Sequence, residues 1–410
     1  MSSHIEYQIR RFQGNFLSLH LENSSLTSML TRRQIRTRTL QALYAYHRSK
    51  AANLLLSQEM LENHFSPNLD SMEFQDKKLL EGKKRLSLAY LEEMTAIKPK
   101  VSQDDEDEYP EEIKRAVQQA YQSYRNRNKA DFDYLNGHYP LWIEKTYDVY
   151  AFLLALIVEL SDRAAQLRDP FDQSTLADNR LVKALAQDES YQDLVMRRKA
   201  SWEDEKSFVT KFYKEHLLGN SQYREYCAST NHSLEADFAL IKYMIKNILL
   251  KNEVLDEYFD RYHLFWTEDR DVLRAMLVHT FQPMLETGQI QIEKLGTLWE
   301  EGKQFFKKLF HVSVSEEDTW IEYLLPVLKN WEMDRMPETD KLLLIMAVAE
   351  MIHFKDIPVK VTINETIELA KQFSTEKSGN FVNGVLDKIS KQLTEQGRLV
   401  KTGRGMLDNR

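Results

Sequence analysis

Residues 357–388 read as two short helices joined by a polar elbow, and a chain that commits to this shape must find cover for two apolar faces. Pro358 lacks an N–H and disfavours helix just before it, so the preceding helix is expected to stop near Phe354. Ile363, Ile367, Ala370 and Phe373 then recur at helical spacing, and Thr362 with Glu365 has the spacing of a capping box. Ser378 suits the cap of the second helix, whose Phe381, Val382, Val385, Leu386 and Ile389 form one apolar face. Gly384 falls inside that helix at a cost of about 1 kcal/mol against Ala, which suggests that something approaches the backbone closely there.

The segment just upstream, Pro337 to His353, supplies what such a pair needs. Leu342 to Ile352 contains a single charge, Glu350, so this helix is apolar nearly all round and belongs in the middle of a bundle. Pro337 fits its first turn. With only 12 glycines and 9 prolines in 410 residues, and many Leu, Lys, Glu and Gln, the whole chain is expected to be all-α, in one to three domains. The net charge of −8 argues against a wholly basic nucleic-acid binder but leaves room for a local basic patch. Cys227 is the only cysteine, which excludes an internal disulfide or a cysteine metal cluster and fits a reducing cytoplasm. The first residues have no signal-peptide pattern, and the longest apolar run, Ala151 to Val158, is too short to span a bilayer.

A basic patch does occur. From Ser24 to Gln58 there is no acidic residue, while Arg32, Arg33, Arg36, Arg38, Arg48 and Lys50 lie inside, the first three spaced to share one helical face. Ile35, Leu40, Leu43 and Tyr44 can pack inward. Further on, Asp104 to Glu108 is an acidic linker or exposed loop, and Trp142 to Arg163 reads as a strongly apolar core helix ended by Pro170. Trp202, Trp266 and Trp331 recur 64 and 65 residues apart, each closing an amphipathic helix and preceding an acidic helix start, a pattern that suggests duplicated helix–Trp–helix units. The Gly397-Arg398 and Gly403-Arg404-Gly405 steps suggest a mobile basic tail. The chain has no Gly-rich phosphate loop, no cofactor fingerprint and, among its 11 histidines, no metal-ligand spacing, so neither a catalytic centre, a cofactor nor a metal is expected.

The run Ile357-Pro358-Val359-Lys360-Val361-Thr362-Ile363-Asn364-Glu365, then Ile367-Glu368-Leu369-Ala370-Lys371, then Phe381-Val382-Asn383-Gly384-Val385-Leu386-Asp387-Lys388 closely resembles the signature of the NusB family of bacterial transcription-antitermination factors. The segment Arg32 to Tyr46, with Leu40-Gln41-Ala42-Leu43-Tyr44, resembles the first helix of the same family, and the likeness resumes near Gly302. The resemblance implies a NusB-like helical bundle, 29–60 with 296–395, split by a helical insertion at 61–295 and flanked by a loose 1–28 and a flexible 396–410, with Met29 the more natural start. It also implies a non-enzymatic, cytoplasmic RNA-binding factor that takes boxA-type elements of ribosomal RNA transcripts together with NusE, a small-subunit ribosomal protein, in the RNA polymerase antitermination complex.

Carried over by position, the RNA-binding candidates are Arg32, Arg33, Arg36 and Arg38, with Lys377, Ser378, Asn380 and Phe381 at the elbow; the NusE-facing candidates are Tyr44, Asp340 and Glu350. Arginines suit phosphates through counterion release, and unpaired bases stack on an aromatic ring or guanidinium plane. Phe381 reads equally as a stacking platform or a core residue, Lys360 and Lys388 as phosphate contacts or solvated charges, and Asn364 and Asn383 as internal hydrogen-bonding residues. Where the family often carries an acidic residue, this chain has Lys377, which favours RNA electrostatically. Two other functions compete: a scaffold that docks RNA polymerase or ribosome-assembly partners through the insertion, and a ribosomal RNA methyltransferase, for which the required Gly-rich loop on a parallel sheet is missing.

Overall fold

A computed structural model describes residues 32–96, 109–328 and 335–408, apart from residues 69, 71, 73, 170, 171, 231 and 296. The expectations placed on residues 1–31, on Asp104 to Glu108, on Pro170 and on Trp331 lie outside the described residues. As composition implies, the fold is all-α, with no strand among the described residues. The chain divides into two compact units, one holding residues 32–140 and 303–408 and the other 141–302.

The first unit opens with three helices, α1 (Arg32–His64), α2 (Lys77–Thr95) and α3 (Glu111–His138). Asp76 caps α2, its carboxylate accepting from the Lys78 and Leu79 amides. The three helices close on Leu61, Phe65, Tyr90, Leu91, Ile113, Val117 and Ala120. Asn53, buried on α1, donates to Asn128 Oδ1 at 3.0 Å and to Asp131 Oδ2 at 2.7 Å on α3, so the register of that pair is set by polar groups as well as apolar ones.

The second unit runs α4 (Trp142–Gln166), α5 (Arg180–Gln187), α6 (Glu189–Arg198), α7 (Lys206–Phe212), α8 (Ser221–Ala228), α9 (Leu234–Tyr243), α10 (Glu253–Phe259), α11 (Arg270–Phe281) and α12 (Met284–Thr287). α7 and α9 each run on into a π-helical stretch, Tyr213–Leu217 and Met244–Leu249. The apolar helix expected at Trp142 is the core element α4, whose Tyr150, Leu154, Ile157 and Leu160 are buried against the others. Trp202 and Trp266 are fully enclosed: the first donates its indole N–H to the Phe152 carbonyl at 2.8 Å, the second to Asp256 Oδ1 at 2.8 Å. Burial pushes the Cys227 thiol up to about 11, which leaves it a packed, unreactive group.

The remaining helices are α13 (Thr297–Ser315), α14 (Glu317–Leu324), α15 (Glu338–His353), α16 (Val359–Phe373) and α17 (Ser378–Glu395), and from residue 303 onward they belong to the first unit. α15 ends at His353 with Phe354 as its cap residue, where Pro358 requires. Every residue of α15 from Leu342 to Met351 is buried, Glu350 included, so it is the central helix its composition demands. Each of the two turns, 354–358 and 374–377, reverses the chain, so α17 runs parallel to α15 with α16 antiparallel to both. The basic tail does not trail away: Thr402 donates its amide to the Lys355 carbonyl at 2.9 Å, Lys401 Nζ reaches the Phe354 carbonyl at 2.9 Å, and Arg398 lies over the Tyr323 ring. Gly405 packs so tightly on the Lys355 carbonyl that a Cβ there would overlap it.

Candidate nucleic-acid interface

α1 lies antiparallel to α15, and charged side chains fix the register. Arg36 donates from Nε and Nη2 to the two carboxylate oxygens of Glu350, each at 2.7 Å, and Thr362 on α16 donates to Glu350 Oε1 at 2.7 Å. One turn earlier Arg33 makes a second two-pronged pair with Glu365, at 2.9 and 3.0 Å, and that bond raises the Arg33 pKa further. Arg32 is 3.8 Å from Asp356 and, like Arg36, sits near the face of Phe305. At the other end of α15, Arg48 is 3.5 Å from Glu338 and Lys50 is 3.5 Å from Glu317.

The four arginines therefore divide. Arg32 and Arg33 keep side-chain exposures of 51% and 37%, whereas Arg36 and Arg38 are buried at 2% and 3%. The shared face expected for Arg32, Arg33 and Arg36 is corrected: helical spacing set them close together, but Glu350 draws Arg36 inward. Arg38 is turned into the interior toward Gln41 Oε1, 2.9 Å away. A guanidinium buried in the interior, held by a carboxylate at Arg36 and turned to an amide oxygen at Arg38, offers a phosphate nothing, so the reading of Arg36 and Arg38 as surface contacts does not fit their placement.

The elbow divides too. Lys377 and Asn380 are exposed and Phe381 is half-buried. Ser378 is the first residue of α17 rather than its cap, and its buried hydroxyl donates to Asp340 Oδ2 at 2.8 Å. Asp340 is thereby buried at 3% and Glu350 at 1%, so neither presents a surface to a partner protein; Tyr44 alone of that set is partly exposed. The expected capping box is also replaced, because Thr362 serves Glu350 and Glu365 serves Arg33. Asn364 and Asn383 stand exposed, not internal, and no described residue comes within 4 Å of a Cβ built at Gly384.

Ser378 marks the Asp340 end of α15 and Arg36 the Glu350 end, ten residues or about 15 Å apart along the axis. Arg32 and Arg33 gather at one end, and Lys377, Asn380 and Phe381 at the other, joined there by Arg48, exposed and level with Glu338. The acid-free run contained Arg48, but its value depends on a partner helix that sequence spacing does not reveal. No described group of three His, Cys, Asp or Glu side chains is arranged to hold a metal ion, and no described helix is long and apolar enough to cross a membrane.

Residues 271–391 match the model of the NusB family. The chain carries a NusB-family domain. Its relatives named transcription antitermination protein NusB include one from Salinibacter ruber, 42% identical over 105 residues that make up 26% of this chain and 66% of that protein. Another, from Chloroherpeton thalassium, is 40% identical over 108 residues, 26% of this chain and 51% of the relative. A third, from Natranaerobius thermophilus, is 43% identical over 74 residues, 18% and 53% of the two chains. The chain thus spans between about half and two thirds of the length of these NusB relatives. No solved structure matches it. The NusB match begins at residue 271, upstream of residue 296, and does not include α1; α1 joins the NusB helices through Arg33, Arg36 and Arg48.

Proposed function

We propose that the protein is a non-enzymatic, cytoplasmic RNA-binding transcription antitermination factor. It binds boxA-type sequences of ribosomal RNA transcripts together with NusE, as part of the RNA polymerase antitermination complex. In this reading 29–60 and 296–395 act as one NusB-like domain. The observation that carries it is the double clamp of Arg33 on Glu365 and Arg36 on Glu350, which holds the arginine-bearing start of α1 on helices of the NusB-family domain. Arg32, Arg33 and Arg48 on α1, with Lys377, Asn380 and Phe381 on the elbow, are then the residues that meet RNA; Arg36, Arg38, Ser378, Asp340 and Glu350 position them from the interior. Tyr44 remains the candidate on the NusE side.

Binding of single-stranded boxA-type leader RNA, measured across a salt series, tests the assignment. Replacing Arg32 and Arg33 with Ala should flatten the slope of log affinity against log salt by about 2 units. An unchanged slope removes both arginines from the interface.

A second reading, a scaffold docking RNA polymerase or ribosome-assembly partners, is favoured by one observation: residues 141–302 form a compact unit with a core of their own. Capture of polymerase by the full chain, lost when 141–302 is removed while RNA affinity survives, would give this reading precedence.

A further inference from the structure

Gly384 lies at the middle of α17, an 18-residue helix, in ordinary helical backbone. The positive-φ glycines are elsewhere, at Gly288, Gly397 and Gly403, so no backbone requirement explains it. Nor does packing: a Cβ built there meets nothing within 4 Å, whereas at Gly379 it would press on Lys371 at 3.3 Å. Glycine is a poor helix residue, so a bare, open position in mid-helix weakens α17 with no return from any described residue.

What surrounds the bare patch is specific. One turn before Gly384 on its own face stand Asn380 and Phe381, and one turn after it Asp387 and Lys388; Lys377 lies at the helix start. Asn380, Asn383, Asp387 and Lys388 are exposed and Phe381 is half-buried. Asp387 is taken up by Lys391 at 2.8 Å, and among the described residues no carboxylate pairs with the Lys377 or Lys388 ammonium group on this face. Two cations some eleven residues, about 16 Å, apart thus flank a strip holding an amide pair, an aromatic ring and uncovered helix backbone.

We propose that this strip, from Lys377 across Gly384 to Lys388, is a track for unpaired RNA, with a ribose or base lying flat on the helix backbone at Gly384 and phosphates near the two lysines. The inference rests on the RNA reading above and gives that reading a path. Cations set about two to three nucleotides apart, exposed amides for base edges and a half-exposed ring are features single-stranded RNA uses. A flat approach to the helix needs a residue with no side chain. α17 runs parallel to α15, so a strand leaving the elbow along this strip moves toward the level at which Arg32 and Arg33 stand.

The test uses the full chain and a fluorescent single-stranded leader RNA carrying a boxA-type element. Gly384→Ala is expected to raise Tm by about 2–4 °C, because Ala is the better helix former and the space is open. The same change should weaken RNA binding about threefold, and Gly384→Gln, longer and still helix-compatible, about tenfold or more. Lys388→Ala should reduce the salt slope by about 1 unit. A gain in stability together with a loss in binding separates contact from misfolding.

Wild-type binding with unchanged affinity in both Gly384 variants overturns the track and leaves the arginine assignment standing. Retained RNA affinity with loss of NusE capture overturns it in favour of a protein partner. No RNA binding by the wild-type chain overturns the RNA reading and the track with it.

Discussion

Both compact units contain ion pairs and buried rings, Arg180–Asp237 and Arg270–Asp256 among the pairs of the second, but among the described residues two-pronged pairs between residues hundreds of positions apart occur only in the first. In the first, long helices are fastened by charged side chains from residues hundreds of positions apart: Arg33 to Glu365, Arg36 to Glu350, Lys50 to Glu317. In the second, apart from α4, the helices are 4–12 residues long, two of them run on into π-helical stretches, and the Trp202 and Trp266 rings fill the space between them. Aromatic rings exclude water over a large area and tolerate sliding; a two-pronged guanidinium–carboxylate pair accepts one register only. In the proposed RNA reading, the unit that presents Arg32, Arg33 and Arg48 is the one whose distant helices are held in register by two-pronged charge pairs.

Deleting one fastener from each unit probes this contrast most strongly. Glu350→Ala leaves the Arg36 guanidinium buried without its carboxylate and should cost about 3–5 kcal/mol. Trp202→Ala should cost a similar 3–5 kcal/mol or so through the cavity it opens. Hydrogen exchange should show Glu350→Ala losing protection in α1 and α15 while residues 141–302 keep theirs, and Trp202→Ala the reverse. Equal loss throughout the chain in both variants would erase the distinction.

His47 gives a smaller, pH-dependent effect. It sits 3.5 Å from Glu317, yet burial, aided by Lys50 and Lys341, holds its pKa down to about 4, against the pull of that carboxylate. The unfolded chain therefore takes up this proton first. The stability His47 permits is full above the ordinary imidazole value and is lost as pH falls from about 6.5 toward 4, by about 1–3 kcal/mol. Melting curves across that range should steepen for the wild type, and His47→Gln should remove this part of the slope.

The smallest effect sharpens the role of the outer pair. Because Arg33 is 37% exposed, Glu365→Gln should cost no more than about 1 kcal/mol of stability. By releasing Arg33 it should tighten RNA binding by about two- to fivefold, the order expected of one exposed ion pair. A weaker-binding Glu365→Gln would mean that the pair positions Arg33 rather than masking it.

The helices were legible wherever a local rule sufficed. Pro358 sets the end of α15, and the unbroken apolar surface of Leu342 to Met351 sets its central place. The burial of Arg36 was not legible, because spacing gives the direction of a side chain on its own helix but not the carboxylate it will meet. Its partner is 314 positions away. Ser378 and Thr362 have cap-forming chemistry, and Asp340 and Glu350 outcompete the backbone for their hydroxyls. Asn364 and Asn383 looked internal and are exposed. Gly384 stands out in the sequence, but only the fold shows that no described residue fills the space beside it.

The clamp between Arg36 and Glu350 also bears on how the molecule is made. At about 5–20 residues per second, a ribosome that has just finished Arg36 adds the 314 residues up to Glu350 over roughly 15–60 s. Throughout that interval the nascent first helix carries unpaired guanidinium groups and an apolar seam with no mate. Residues 141–302 emerge complete within the same window and can collapse locally. Assembly of the first unit is thus gated by the last quarter of translation, and a holdase that shelters the early helix should raise yield more than one acting on the middle of the chain.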